Sequence, residues 1–192
     1  MPDPNSAAMD FFLSRRSRPA KTLIAPAPTR DDLGPILQAA ARTPDHGKLE
    51  PWRFIVLEKP ALKRLAALAE EIGKRQGRAE VQCNKGRKYY DDGLIAVAVI
   101  EVQKPSETIP AIEQTYSVGA VCLAMLYAVL ASGWGANWLS GWPSHDREFI
   151  TEGLGLAANE TVAGLIFFGT ERVTPPERPR PDLDAITTWV SE

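Results

Sequence analysis

The most constraining feature of this sequence is a long run, residues 114–145, that contains no Asp, Glu, Lys or Arg. Its first part, residues 115–130, is apolar but falls short of the roughly 20 residues that a bilayer span needs, and it lacks flanking basic anchors. Small residues recur at helical spacings that suit close helix contacts: Gly119, Ala120, Ala124, Ala128 and Ala131. We therefore expect a central helix buried on all sides, either within a domain or across a dimer.

The chain length and composition are those of one globular domain. It has 192 residues, of which 44% are hydrophobic and 24% charged, and a net charge of -2. This charge gives no reason to expect nucleic acid or a membrane surface as a partner. The local exception is residues 74–88, with six basic residues. Two interpretations remain open for this segment: a solvated, mobile surface, or a surface beside a phosphate-bearing ligand.

Metal and disulfide chemistry find no support in the sequence. Cys83 and Cys122 belong to no CxxC or metal-ligand spacing, and the chain has two histidines. The N-terminal segment, MPDPNSAAMDFFLSRRS, contains no basic region followed by an apolar core, so we expect a cytoplasmic protein rather than a secreted one.

The hydrophobic pattern predicts strands separated by helices. Residues 52–57, 93–100 and 161–168 read as strands, and a fourth short strand follows the central helix. Residues 60–72 form an amphipathic pattern with Pro60 at the first helical turn. This order indicates an α+β or α/β sandwich around one sheet. We expect a single domain over residues 9–192, ending in a Pro-rich extended arm at about 171–192.

Several common enzyme motifs are absent or occur in the wrong context. The sequence Gly133-Trp134-Gly135 follows a helix and precedes a strand, which is the reverse of the order in a dinucleotide-binding fold. There is no GxSxG elbow and no P-loop. Ser144 is expected to cap a short helix at residues 146–152. No side chain is assigned as a catalytic residue.

Two polar loops carry the candidate ligand-binding residues. The first, after a short apolar helix, contains Arg15, Arg16 and Ser17, whose guanidinium and hydroxyl groups suit phosphate and carbonyl oxygens. The second lies between Pro44 and Pro51 and carries His46. A lone histidine is usually structural, and without a second His or Cys nearby a metal site is not expected.

In order along the chain, five segments resemble the nitroreductase family of FMN-dependent oxidoreductases, in its short minimal branch. They are RRSRPA, ARTPDHGKLEPWRFIVL, the charge-free helix, GWGANWLSG and a late strand ending in FFGT. The resemblance covers residues 11–170. It implies an α+β fold in which helices surround a central, mainly antiparallel sheet. It also implies a long buried central helix and a homodimer.

The same resemblance implies an FMN site at the dimer interface. It assigns contacts to three parts of the chain: Arg15, Arg16 and Ser17; Arg42 and His46, presented by the other subunit; and Trp138, Leu139 and Ser140. The first group is expected to meet the phosphate, ribityl chain and pyrimidine edge, and the last to lie along the flavin. Leu139 stands where the minimal branch often has a basic residue, so Arg178 or Arg180 of the tail could compensate.

The activity implied is NAD(P)H-dependent reduction of nitroaromatic, quinone or related electrophilic acceptors. NADH or NADPH would reduce FMN at N5 and leave before the acceptor enters, which is ping-pong turnover. A region matching a variable lid of the family, residues 73–88, is expected to influence acceptor choice. Two alternatives are a flavin-binding carrier or regulatory protein without turnover, and a dimeric scaffold without flavin.

Overall fold

The fold is organised around β5, a long central strand that pairs with three others. The computed structural model describes residues 3–192. Every strand pair is antiparallel; the order is β1-β5-β3-β2, and β4 also pairs with β5. The strands are β1 Leu23–Ile24, β2 Trp52–Glu58, β3 Ile95–Val102, β4 Gly135–Leu139 and β5 Glu160–Glu171. The expected mainly antiparallel sheet is confirmed.

Helices cover both faces of this sheet. They are α1 Ser6–Ser14, α2 Arg30–Ala41, α3 Lys59–Arg75, α4 Glu80–Asp91, α5 Ala111–Ala131, α6 Trp142–His145, α7 Arg147–Leu154 and α8 Leu183–Ile186. Side chains of α3, α4 and α7 form the core on one face, and those of α2 and α5 form it on the other. This arrangement confirms the predicted α+β sandwich.

Strand β3 shows why a continuous apolar run was needed in the sequence. Ala96, Ala98 and Ile100 belong to the core beneath α3, whereas Val97 and Val99 belong to the core beneath α5. Successive side chains of a strand point to opposite faces. Because helices cover both faces, the buried positions of this strand, residues 95–100, are all apolar.

The central helix α5 is more exposed within one chain than a helix buried on all sides would be. It begins at Ala111, directly after Pro110, and has 21 residues. Of its most apolar 18-residue window, 39% is buried within the chain, and by length and composition alone the helix could also cross a bilayer. Its outer face is apolar but open: Tyr116 is 68% and Leu123 is 40% exposed. One chain therefore buries only part of the helix surface, and burial of the remainder across a dimer stays a prediction.

Most of the basic segment is helical. Residues 74 and 75 end α3, and residues 80–88 belong to α4, which lies against Trp142. The indole Nε1 of Trp142 donates to the carbonyl of Gln82 at 3.0 Å, and the Arg78 guanidinium lies 4.2 Å from the indole ring. Arg78 also donates to Asp146 at 3.0 Å. Sequence periodicity missed this helix because it contains few apolar residues and its charges are solvated.

The cap of α7 also differs from the prediction. The Asp146 side chain, not that of Ser144, accepts a hydrogen bond from the backbone N–H of Phe149 at 3.0 Å. Ser144 lies inside the preceding short helix α6, so it cannot serve as the flanking residue of α7. Gly155, in the left-handed conformation at φ 67°, ends α7.

Beyond Glu171 the chain has no regular element except α8, and most of its side chains are exposed. This segment reaches back to the body through Glu177, whose carboxylate lies 3.7 Å from Arg16. The division into a domain and an arm stays a prediction.

We expect Glu160 to make the stability of the fold sensitive to acid. Arg53 donates to its two carboxylate oxygens at 2.6 and 2.8 Å, which lowers the pKa of Glu160 from 4.5 to about 2. A depressed carboxylate pKa stabilises the folded state above pH 4.5, and this contribution is lost as the pH falls towards 2. Glu160→Gln should lower the free energy of unfolding by about 1–3 kcal/mol at pH 7. Urea denaturation should show this difference shrinking below pH 4.5; a pH-independent difference would contradict the assignment.

We also expect Gly86→Ala to loosen α4. A Cβ at Gly86 would lie 2.5 Å from the Trp142 indole nitrogen, so helix and indole must separate. The substitution should lower the free energy of unfolding by about 1–3 kcal/mol, despite the better helix propensity of Ala. Gly34→Ala is the matched control, because Gly34 is also helical and its Cβ would meet no atom within 4 Å. Equal effects of the two substitutions would show that the Trp142 contact does not constrain α4.

Candidate functional site

An arginine-rich cavity of about 290 Å³ lies where α1 ends. Helix α1 stops at Ser14, and the next residues place Arg15, Arg16 and Arg18 in its lining. The backbone N–H of Arg18 donates to the carbonyl of Ala136 at 2.7 Å and thereby fixes the loop to β4. The α5 side of the cavity is formed by Leu130 and the residues that follow the helix.

The three arginines differ in how their charges are compensated. Arg18 forms an ion pair with Glu171 at 2.6 Å, and the Arg15 guanidinium lies 5.5 Å from the centre of the Tyr127 ring. Arg16 has one ion-pair partner in the described residues, the exposed Glu177 at 3.7 Å. Its buried Nε has no hydrogen-bond partner within residues 3–192. Arg16 therefore retains donor capacity for an anion entering this cavity.

A second cavity, of about 360 Å³, lies on the α4 side of the same loop. Its lining combines Tyr89 and Leu139 with three lysines, Lys21, Lys85 and Lys88. Lys88 is paired with Asp92 at 2.9 Å. Lys21 and Lys85 have no ion-pair partner in the part of the chain that the structure describes. This cavity combines apolar walls with uncompensated positive charge.

Lys85 and Lys88 are the residues that the sequence reasoning missed at this site. Their signal was present in the basic segment, since a spacing of three residues places both on one face of a helix. The sequence analysis left a position beside a ligand open for that segment, but it predicted no helix there and so did not single out this pair.

Strand β4 runs between the two cavities. Its five residues span about 17 Å, and its free edge is the one to which Arg18 is bonded. Ser17 is half-buried in the same loop. An elongated ligand with an anionic end in the arginine cavity could therefore extend along β4 towards Leu139.

The three residues at the end of β4 have different surroundings. The Trp138 indole covers Gly164 of β5, where a Cβ would collide with the indole nitrogen. Leu139 lines the lysine cavity. The hydroxyl of Ser140 lies 2.7 Å from Nε2 of His145 and faces a third cavity beneath α4.

Arg42 and His46 lie elsewhere in the chain. Arg42 is exposed at the end of α2. His46 pairs with Glu113 in the first turn of α5, whereas Arg15 contacts Tyr127 near the other end of the same helix. At 1.5 Å per residue, Glu113 and Tyr127 are about 21 Å apart along the helix. One chain therefore does not bring His46 to the arginine cavity.

No group of three or more His, Cys, Asp or Glu side chains within residues 3–192 could hold a metal ion. Both cysteines are free and buried. Burial raises the pKa of the Cys122 thiol to about 12, which makes it a poor nucleophile at neutral pH. The donor set of the site consists of guanidinium, ammonium and hydroxyl groups, and these suit an organic anion.

The sequence is similar to named bacterial proteins along most of its length. A family model described as the nitroreductase family matches residues 13–170. The chain is 30% identical over 166 residues to a protein of Escherichia coli (strain K12) provisionally named NAD(P)H nitroreductase YdjA, covering 86% of this chain and 89% of that protein. It is also 30% identical over 165 residues to a provisionally named NAD(P)H nitroreductase of Haemophilus influenzae, covering 85% and 88% of the two chains.

Solved structures share the fold at lower identity. A nitroreductase-like family protein from Bacillus cereus matches with a TM-score of 0.78 at 21% identity, covering 99% of this chain and 98% of that one. A nitroreductase with bound FMN from Bacteroides fragilis matches with a TM-score of 0.71 at 20% identity, covering 98% and 100%. At these identities the structures establish the fold. The family match over residues 13–170, with the curated relatives that agree with it, shows that this chain belongs to the nitroreductase family.

Proposed function

We propose that the protein is an FMN-dependent NAD(P)H oxidoreductase that reduces nitroaromatic, quinone or related electrophilic acceptors. The observation that carries the proposal is the buried Nε of Arg16, unpartnered within residues 3–192, in a cavity beside β4. The names of the curated relatives support the use of NAD(P)H, and the FMN-bound Bacteroides fragilis nitroreductase supports the cofactor.

The residues present fit FMN. Arg15, Arg16 and Ser17 offer guanidinium and hydroxyl donors to the phosphate and ribityl chain. The flavin ring would lie along β4 beside Leu139, with Trp138 and Ser140 as its further neighbours. Bound FMN supplies the hydride chemistry, which no side chain in the described residues provides.

Lys85 is proposed as the cation beside the pyrimidine end of the flavin. It lines the same cavity as Leu139 and, unlike Lys88, has no carboxylate partner in the described residues. A positive charge there stabilises the negative charge that the ring acquires on reduction and so raises its reduction potential. This assignment gives part of the basic segment a ligand-binding role.

Leu139 stands where related proteins often have a basic residue, and an arginine of the tail is a candidate to replace that hydrogen-bond donor. Arg180 donates to Glu177 at 2.8 Å, and Glu177 also reaches Arg16. Arg180 is therefore near the arginine cavity, and we propose that it, rather than Arg178, contributes a second charge to the phosphate. Glu177 would leave Arg16 when the phosphate binds, because two anions compete for one guanidinium.

We further propose a homodimer formed through the outer face of α5. Exposed apolar side chains continue from this face onto α1: Met9, Phe12, Leu13, Ile112, Tyr116 and Leu123. Gly119 leaves room for close approach, since a Cβ there would meet no atom within 4 Å. A continuous apolar surface of this kind is typical of an interface.

A two-fold axis near Ala120 would complete the site. This residue is midway between Glu113 and Tyr127, so antiparallel packing of two α5 helices places Glu113 of one chain beside Tyr127 of the other. His46 and Arg42 of one chain would then approach the arginine cavity of its partner. Glu113 and Tyr127 of one chain stay about 21 Å apart along the helix, but each would lie beside the other residue of the partner chain.

Turnover follows from one shared site. NADH or NADPH would bind in the space beside the flavin, donate a hydride and leave before the acceptor enters the same space. This ping-pong order requires no protein nucleophile, in agreement with the donor set of the site. The alternative, a flavin-binding carrier or regulatory protein, shares the binding site but not the turnover.

An absorbance spectrum followed by anaerobic reduction tests the proposed function. The purified protein, incubated with FMN and freed of excess, should show a flavin band near 1 equivalent per chain. Addition of NADPH or NADH without oxygen should bleach the band, and a quinone should restore it. A band that neither nucleotide bleaches would favour the carrier, and a chain that retains no FMN would exclude both functions.

We expect Arg16→Ala to weaken FMN binding by about 10- to 100-fold, since charge-assisted hydrogen bonds contribute about 1.5–3 kcal/mol. Fluorescence titration of the apoprotein measures this dissociation constant. Arg30→Ala is the matched control, because the Arg30 side chain is 90% exposed on α2 and its ion pair, with Glu58, is a long contact of 3.7 Å. Equal affinities of Arg16→Ala and wild type would remove Arg16 from the site.

A further inference from the structure

The loop that carries His46 is held in an unusual backbone conformation. Gly47, Lys48 and Glu50 have φ values of 74°, 54° and 46°. Positive φ is unfavourable for residues with a Cβ, and such conformations persist when surrounding contacts enforce them. Two of these residues, Lys48 and Glu50, carry side chains. The contacts that hold this loop in its conformation therefore also influence the orientation of His46.

Three contacts hold the loop. The Asp45 carboxylate accepts a hydrogen bond from the backbone N–H of Glu50 at 2.9 Å. The Ile109 side chain packs against Gly47 so closely that a Cβ there would collide with it. The Glu113 carboxylate lies 2.7 Å from Nδ1 of His46. Two of these three contacts come from the first turn of α5 and the segment just before it.

The contact with Glu113 determines which nitrogen of His46 carries the proton. A carboxylate only accepts hydrogen bonds, so Nδ1 must donate, and a neutral ring then has its lone pair on Nε2. No hydrogen bond to Nε2 occurs within residues 3–192. A pair this exposed contributes about 0–1 kcal/mol to stability. Its main effect is on the orientation and tautomer of the ring.

We propose that Glu113 is a positioning residue that fixes His46 so that Nε2 faces the flavin site of the partner chain. This proposal rests on the proposed function and names a residue that the sequence did not indicate. Glu113 belongs to the turn of α5 that also carries Ile112, on the proposed dimer surface. The helix that joins the two chains would thus also orient the histidine that completes the partner's site.

The tautomer is measured in the apoprotein by nitrogen-15 NMR of the imidazole rings. The chain has two histidines, so His46→Gln identifies the His46 signals by their loss. At pH 8, wild type and Glu113→Gln should show the Nδ1–H tautomer, because both side chains accept a hydrogen bond. Glu113→Ala should move the ring towards the Nε2–H tautomer. An unchanged tautomer in Glu113→Ala would overturn the proposal, whether or not FMN binds.

FMN titration supplies the second readout. Glu113→Ala should weaken FMN binding about tenfold, equivalent to one hydrogen bond, and Glu113→Gln should restore most of it. Glu107→Gln is the matched control, since Glu107 is an exposed carboxylate that forms no ion pair within residues 3–192. Size-exclusion chromatography with light scattering verifies that the variants keep the oligomeric state of the wild type.

A double-mutant cycle separates positioning from a general structural effect. If Glu113 acts through His46, the double variant His46→Ala/Glu113→Ala should bind FMN no more weakly than His46→Ala alone. Additive losses would show that Glu113 acts independently and would contradict the proposal. If wild type binds no FMN, the proposed function fails instead, and the tautomer measurement still decides what Glu113 does to His46.

Discussion

Helix α5 has two apolar faces, and the chain supplies a partner for one of them. Its inner face packs on β3, β4 and β5 beneath Val118, Cys122 and Met125, while Tyr116 and Leu123 point outward. This is why the run around α5 contains no charge although much of the helix surface is open. The sheet fixes the position of α5, and α5 in turn fixes the positions of the loop with Arg15 at one end and the loop with His46 at the other.

The proposed site depends on the distance between the Arg15 loop and the His46 loop, which lie at opposite ends of α5. Arg16 and its neighbours form a donor-rich cavity beside the free edge of β4, and Lys85 of α4 adds positive charge on the other side of the loop. The cavity residues of one chain provide for an anion and an aromatic ring, but His46 lies at the opposite end of α5. The proposed two-fold arrangement would resolve this geometry, because antiparallel packing places opposite ends of the two α5 helices side by side. Dimer formation would then complete the cofactor site.

Much of the fold could be predicted because short sequence patterns indicate helix starts and buried strands. Thr29 and Asp32, whose spacing of three residues is typical of a capping box, form one at the start of α2. The apolar run of residues 95–100 in β3 follows from burial on both faces. The site was harder, because no local pattern reports which surfaces meet. Lys85 belongs to a charged helix that packs against Trp142, a residue distant in the sequence, so its position could not be predicted locally. The contact between His46 and Glu113 joins residues 67 positions apart. The family resemblance indicated candidate cofactor-binding residues, and the structure was needed to obtain the distances between them.

The central claim is that Arg16 of one chain and His46 of another form one site. Two variants, Arg16→Ala and His46→Ala, can be mixed, unfolded and refolded together, and FMN binding then titrated. In a mixed dimer, one site would carry both substitutions and the other would carry neither. After statistical reassociation, about a quarter of all sites should therefore bind FMN with wild-type affinity. If Arg16 and His46 of the same chain formed the site, every site would carry a substitution, and no tight binding would return.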